Sequence, residues 1–189
     1  LGGRNRRMSS TIITAIRGRR VWDSRGRPTV EAEITLAGGA SGRAIAPAGA
    51  STGSGEALDK RDGGAAFGGY DVTAAVDAVN RELAPALLGM DASAQAALDA
   101  RLIARDGTPQ KTRLGANATL AVSMAAAHAA AAASGMPLWR YLGGDAPDTL
   151  PLPQIQILGG GAHAGRRVDI QDFLVMCPAA TSFAEALDW

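Results

Sequence analysis

Thr29-Val30-Glu31-Ala32-Glu33-Ile34-Thr35-Leu36 decides the fold: apolar and polar residues alternate with the period of a β-strand that buries one face. The run ends in Ala37-Gly38-Gly39, a turn signal, and Gly42 to Ala46 can form the returning strand, so a β-hairpin is expected. After it comes Pro47-Ala48-Gly49-Ala50-Ser51-Thr52-Gly53-Ser54-Gly55, a loop of small residues that lets backbone approach a ligand closely. A plain surface turn is the alternative reading of that loop.

Beyond the loop the period changes. Val72, Val76, Val79, Leu83 and Leu87 recur at spacings of three and four, which predicts an amphipathic helix over 72–88. A second helix is expected from Ser93 to Ile103, and a third over the alanine-rich run 116–134. That run has the length of a membrane span, but alanine is weakly hydrophobic and His128 interrupts it, so burial between other elements is expected. Gly135 and Pro137 supply its stop. After the polar linker Asp145-Ala146-Pro147-Asp148, a strand over 152–158, the loop Gly159-Gly160-Gly161-Ala162-His163-Ala164-Gly165 and a strand over 168–176 begin a new series. The pattern reads as an α+β head followed by the start of a barrel-like unit.

Composition agrees with a soluble globular protein: 189 residues, 47% hydrophobic and 20% charged. The net charge of +1, with basic residues scattered, offers no basic face for nucleic acid. With 24 glycines and 4% aromatic residues, the core must close by tight approach of small side chains. Cys177 is the single cysteine, so no internal disulfide is possible and a reducing, cytoplasmic compartment is expected. Leu1 to Arg20 is rich in arginine and free of acids, and Met8 is the first methionine. Residues 1–15 are left as an unassigned leader, with a transit peptide as the lesser reading. Ser182 and Glu185 form a capping box for a helix that reaches Trp189 within two turns, so the chain is expected to be a fragment.

Three polar residues of the second unit could carry chemistry: His163 in the glycine-rich loop, and Gln171 and Asp172 on the following strand. A histidine beside a strand-borne carboxylate can orient or protonate an anionic substrate. A loop histidine satisfied by backbone is the alternative. Adjacent Gln171 and Asp172 point to opposite faces of a regular strand, unless a bulge relaxes the pairing. His128, Asp23, Arg25 and Asp62 read as structural. No Walker loop or dinucleotide fingerprint is present.

Together the motifs resemble the enolase family. Asp23-Ser24-Arg25-Gly26-Arg27-Pro28-Thr29-Val30-Glu31 is similar to its opening strand and Pro47 to Gly53 to its active-site loop. Leu114-Gly115-Ala116-Asn117-Ala118 is similar to a helix start, and Tyr141-Leu142-Gly143-Gly144 and Gly160-Gly161-Ala162-His163-Ala164 follow in the same order. The resemblance implies an α+β N-terminal capping domain over 16–148 and the first strands of an α/β, TIM-like barrel over 149–189. It implies a Mg²⁺-dependent lyase interconverting 2-phosphoglycerate and phosphoenolpyruvate by proton abstraction next to a carboxylate, with metal ions stabilising the enolate. Ser51 would be a metal ligand, Ala50 a substrate contact, and His163 a catalytic residue meeting the substrate phosphate. Gln171 and Asp172 would lie near the substrate and its leaving hydroxyl, Asp172 with a catalytic role. The partner is then a small phosphorylated carboxylic acid, and the expected assembly a homodimer through the N-terminal domain, with no nucleic acid and no membrane span.

Some positions depart from the family pattern. Asp172 stands where the family has glutamate, Gln156 and Gly159 where it usually has asparagines, Tyr70-Asp71 in place of Lys-Gly, and Ala48 where many members have serine. These departures raise a second possibility, a paralogue such as carboxyphosphonoenolpyruvate synthase of phosphonate antibiotic pathways. A non-catalytic protein of the same fold is the third.

Overall fold

The computed structural model describes residues 10–49, 52–144 and 150–189. These divide into two compact units, one of residues 10–48 with 53–144, the other of 150–189 together with Gly49 and Thr52.

The first unit is built on a three-stranded antiparallel sheet in the order β1 (Ile13–Trp22), β2 (Pro28–Leu36), β3 (Ser41–Ala46). The expected hairpin is β2–β3, with Ala32 opposite Ala44 and Ile34 opposite Gly42. Val30, Ala32, Ile34 and Leu36 of β2 are fully or almost fully buried, each contributing up to about 1.5–3 kcal/mol for a large aliphatic side chain. Glu31, on the other face, is nevertheless buried, because Arg19 of β1 and Arg43 of β3 close over it as ion partners. Burial of both faces makes the middle strand almost continuously inaccessible.

Strand β1 includes residues that the sequence reading put in the leader. Its outer edge is covered at two positions: Ile13 N–H donates to Met90 O at 2.9 Å, Gly89 N–H donates to Ile13 O at 3.0 Å, and the Asn80 carboxamide takes both the N–H and the C=O of Gly18 at 2.8 and 3.0 Å. A β-carbon on Gly18 would lie 2.7 Å from Val79 Cβ, so only glycine permits this approach.

The helix expected over 72–88 is interrupted. It consists of α1 (Thr73–Ala78), a π-helical turn (Val79–Leu83) and α2 (Ala84–Leu87). Pro85 has no N–H for the carbonyl of Arg81, and the wider turn just before it brings Val79 and Asn80 onto the same stretch of β1. The start of α1 is capped from a distance by Asp62, whose carboxylate accepts from Thr73 N–H and Ala74 N–H at 2.7 and 3.0 Å. Asp62 thus serves the structure as a helix cap, rather than as a salt-bridge or turn residue.

Helices α3 (Gln95–Asp106), α4 (Ala116–Ala133) and α5 (Leu138–Gly143) complete the unit. α4 crosses β2 and β3 so closely that a β-carbon on Gly42 would overlap Ala129 N and Ala125 O. Its small residues do not point all round: Leu120, Met124 and His128 form one exposed stripe at a spacing of four. Gly135, at φ +66°, ends it with Met136 N–H donating to Ala131 O and Gly135 N–H to Ala132 O, a Schellman motif. Among the described residues no helix is long and apolar enough to cross a membrane.

The second unit pairs β4 (Ile155–Gly159) with β5 (Asp172–Val175) in an antiparallel ribbon, followed by α6 (Phe183–Asp188). Both strands are shorter than expected, since residues 168–171 hold the preceding loop instead of extending β5. Ser182 caps α6 by accepting from Glu185 N–H at 3.2 Å. The Glu185 carboxylate reaches back to Thr181 N–H and Oγ1, both at 2.7 Å, one residue earlier than a simple capping box has it. Cys177 is buried, its Sγ 3.6 Å from Ala186 O.

Candidate active site

Two of the glycines in 159–161 have a steric or backbone reason in the second unit. Gly160 N–H donates to Gln171 O at 2.6 Å, and a β-carbon on Gly160 would overlap Ile170 O. Gly161 lies at φ +55°, where L side chains are strained, and donates to Val168 O at 2.8 Å. Gly159 stands opposite Asp172 in the strand register, and a β-carbon there would touch His163 Cβ at 3.6 Å and Gln156 Nε2 at 3.5 Å. The loop is thus stapled to the start of β5, with His163 exposed on a short 3₁₀ turn, Gly161–Ala164. His163 N–H is satisfied by Gly160 O at 3.1 Å, which leaves the imidazole uninvolved in holding its own turn.

The Asp172 carboxylate receives two carboxamides. Gln156 Nε2 donates to Oδ1, and Gln171 Nε2 donates to Oδ2 at 3.3 Å. Gln171 precedes the first paired residue of β5, and the register of β4 shifts between Gln156 and Leu158. The alternation that would send Gln171 and Asp172 to opposite faces therefore does not apply, and both reach one spot. Gln156 is the member of this cluster that sequence reasoning noted only as a departure. Its signal was positional: opposite Leu174, it is the diagonal neighbour of Asp172 across the ribbon. Arg166 and Arg167, both exposed, continue the His163 loop and add positive charge to it.

Ala50 and Ser51, the expected substrate and metal contacts, lie outside the described residues. Their flanks in the first unit are tied down. Asp23 accepts from the N–H groups of Arg25 and Arg27, each at 2.9 Å, and the Arg25 guanidinium donates to Ala48 O. The N–H of Arg27 first, and the N–H and charge of Arg25 after it, hold the Asp23 carboxyl below its usual range, against a desolvation cost. Downstream, Gln110 Nε2 donates to Ser54 O at 3.1 Å and Glu56 O at 3.3 Å.

The segment after the loop is fixed by Asn117. Its carboxamide pairs with both backbone groups of Lys60, accepting from N–H at 3.1 Å and donating to C=O at 3.0 Å, while Ala116 N–H donates to Leu58 O. Gly115, at φ +102°, must be glycine because a β-carbon would lie 2.5 Å from both Asn117 Oδ1 and Lys60 Cβ. This accounts physically for the Leu114-Gly115-Ala116-Asn117-Ala118 motif.

Among the described residues no group of three or more histidine, cysteine or acidic side chains is placed to hold a metal ion. The carboxamide-flanked Asp172 and the histidine loop thus lie together at the start of the β4–β5 ribbon.

Comparison with known proteins bears on the family of the chain. The family profile described as "Enolase, N-terminal domain" matches residues 13–142, and "Enolase, C-terminal TIM barrel domain" matches 147–189. The enolase of Acidothermus cellulolyticus is 56% identical over 176 residues, covering 93% of this chain and 41% of that protein. Enolase 1 of Desulfitobacterium hafniense is 53% identical over 181 residues, covering 96% of this chain and again 41% of the relative. The chain spans well under half the length of these curated relatives, and over that length it carries the N-terminal domain and the start of the barrel: it belongs to the enolase family.

Proposed function

We propose that the whole protein is a Mg²⁺-dependent lyase that interconverts 2-phosphoglycerate and phosphoenolpyruvate in the cytoplasm. The observation that supports it best is the β4–β5 ribbon, which gathers the His163 loop, Gln171 and Asp172 around the bare backbone of Gly159. On this reading His163 meets the substrate phosphate and Gln171 contacts the substrate. Asp172 stands near the leaving hydroxyl, where an ionised carboxylate accepts a hydrogen bond from the departing water or from the group that protonates it. Ala50 would contribute a backbone contact to the substrate.

The described residues do not by themselves form a magnesium cage. We assign Ser51 as one oxygen ligand, a hydroxyl being a hard donor suited to Mg²⁺, with the carboxylate ligands supplied elsewhere in the whole protein. A homodimer is proposed through the first unit. Its surface displays Trp22, Phe67 and Tyr70, each more than two-fifths exposed, with Arg20 stacked on the first two rings and Arg27 on the third.

The test is phosphoenolpyruvate formation from 2-phosphoglycerate by the full-length gene product, followed by ultraviolet absorbance with and without Mg²⁺. Magnesium-dependent turnover supports the proposal. A folded protein that binds Mg²⁺ but is silent on this substrate supports the second reading instead, a paralogue acting on a phosphonate analogue, which Asp172 and Gln156 favour.

A further inference from the structure

We infer that Gln156 is a positioning residue for the Asp172 carboxylate, and that the two residues are coupled in length. The inference rests on the proposed role of Asp172 beside the leaving hydroxyl. A carboxylate offers about four acceptor sites on two oxygens. In this chain one oxygen takes Gln156 Nε2 and the other Gln171 Nε2, so both ends of the group are held while acceptor capacity remains on each oxygen.

The two clamps differ in kind. Gln171 is the chain neighbour of Asp172 and reaches it from the same strand, at 3.3 Å. Gln156 reaches across from β4, and its amide lies beside Gly159, within 3.5 Å of where a β-carbon there would stand, an ordinary contact distance. Of the two side-chain contacts only that of Gln156 ties the Asp172 carboxylate to β4, so it determines where across the ribbon the carboxylate sits.

Asp172 is one methylene shorter than the glutamate of the family pattern, and Gln156 one methylene longer than the asparagine. The two changes fall on residues that are hydrogen-bonded to each other, so their lengths, roughly 1 Å each, offset one another and the bond is kept. Either change alone would leave the amide short of the carboxylate or force the two into collision. A misplacement of about 1 Å in an active site can cost on the order of a hundredfold in rate.

The test is a double-substitution cycle in the full-length protein, read by steady-state turnover of 2-phosphoglycerate. Gln156→Asn and Asp172→Glu are each expected to lower kcat by about tenfold with a much smaller change in KM, and the double variant to return to within about threefold of the starting protein. A silent Gln156→Asn, or penalties that simply multiply in the double variant, overturns the inference. Asp172→Ala separates this from the underlying reading. If Asp172→Ala keeps full activity, the proposed role of Asp172 fails and the inference with it. If it is inactive while the cycle shows no coupling, only the inference fails. A readout independent of activity is the Gln156 side-chain amide resonance of the full-length protein, labelled with ¹⁵N. It is expected to shift in Asp172→Asn, and an unmoved resonance also overturns the inference.

Discussion

The first unit hides its sheet and the second displays one. Helices α1 to α4 and the Arg19–Glu31–Arg43 cluster leave β2 almost wholly inaccessible, whereas Ile157, Leu158, Leu174 and Met176 of the second unit stand between 47% and 67% exposed. Of the described residues in 150–189, only Gly160, Cys177 and Ala186 are buried. The first unit therefore carries the interactions that select its own fold. The second, which over 150–189 carries only the start of the barrel, shows local geometry made of turns, staples and a cap.

The severest way to break this comparison is to separate the units. A chain ending at Gly144 is expected to keep the cooperative urea unfolding of the first unit, while residues 150–189 alone give no cooperative transition, being only about 40 residues with almost no core. A sharp transition in the isolated second piece would show that its bare strands suffice. Next in size is Gly42→Val, which forces α4 off the sheet and is expected to destabilise the first unit by about 3 kcal/mol or more. Leu98→Ala, in the core beneath α3, should cost about 2–5 kcal/mol by denaturant unfolding, against about 0.5 kcal/mol or less for exposed Leu174→Ala. Equal penalties would erase the distinction.

Acid sharpens the contrast. Asp71 is held below its ordinary value of 3.8 by its two-oxygen contact with Arg20 first and by Val72 N–H and the Arg20 charge after that, against desolvation. For Asp106, burial pushes upward, but the bonds from Thr108 and Leu114 N–H together outweigh it and the net direction is downward. Groups whose pKa is depressed on folding contribute stability above the ordinary carboxylate range and lose it as pH falls through the folded value. The unfolding midpoint of the first unit should thus drop as pH is lowered from about 4, with a shallower slope in Asp106→Asn. Least in size is Ser182→Ala, expected to loosen α6 by about 1 kcal/mol and leave the first unit's transition unmoved.

The same contrast governs what could be read from the residues. Thr29–Leu36 was legible as a strand because alternation, turn and return all lie within one short stretch. β1 was not, because Arg17, Arg19 and Arg20 around Gly18 look like a basic leader. Their place in a sheet comes from Glu31 and Glu33 across the strand and from Asn80, more than sixty residues away. Pro85 was visible, yet a period of three and four carries no mark of the π turn. At the candidate site, the glycine loop and the His163, Gln171 and Asp172 set were legible as a motif. That Gln156 would reach Asp172 was not, since it depends on a register shift that a strict period of two cannot express. Ala50 and Ser51 stay with the motif alone.

The covered edge of β1 has a consequence for how such a chain is made. At Ile13 and Gly18 the outward backbone groups of the first strand are already taken by Met90, Gly89 and Asn80, so at those two positions it offers no template to newcomers. As the chain leaves the ribosome, this part can complete its fold while strands rich in exposed leucine and isoleucine are still arriving. Mispairing of those later strands with β1 is blocked at Ile13 and Gly18.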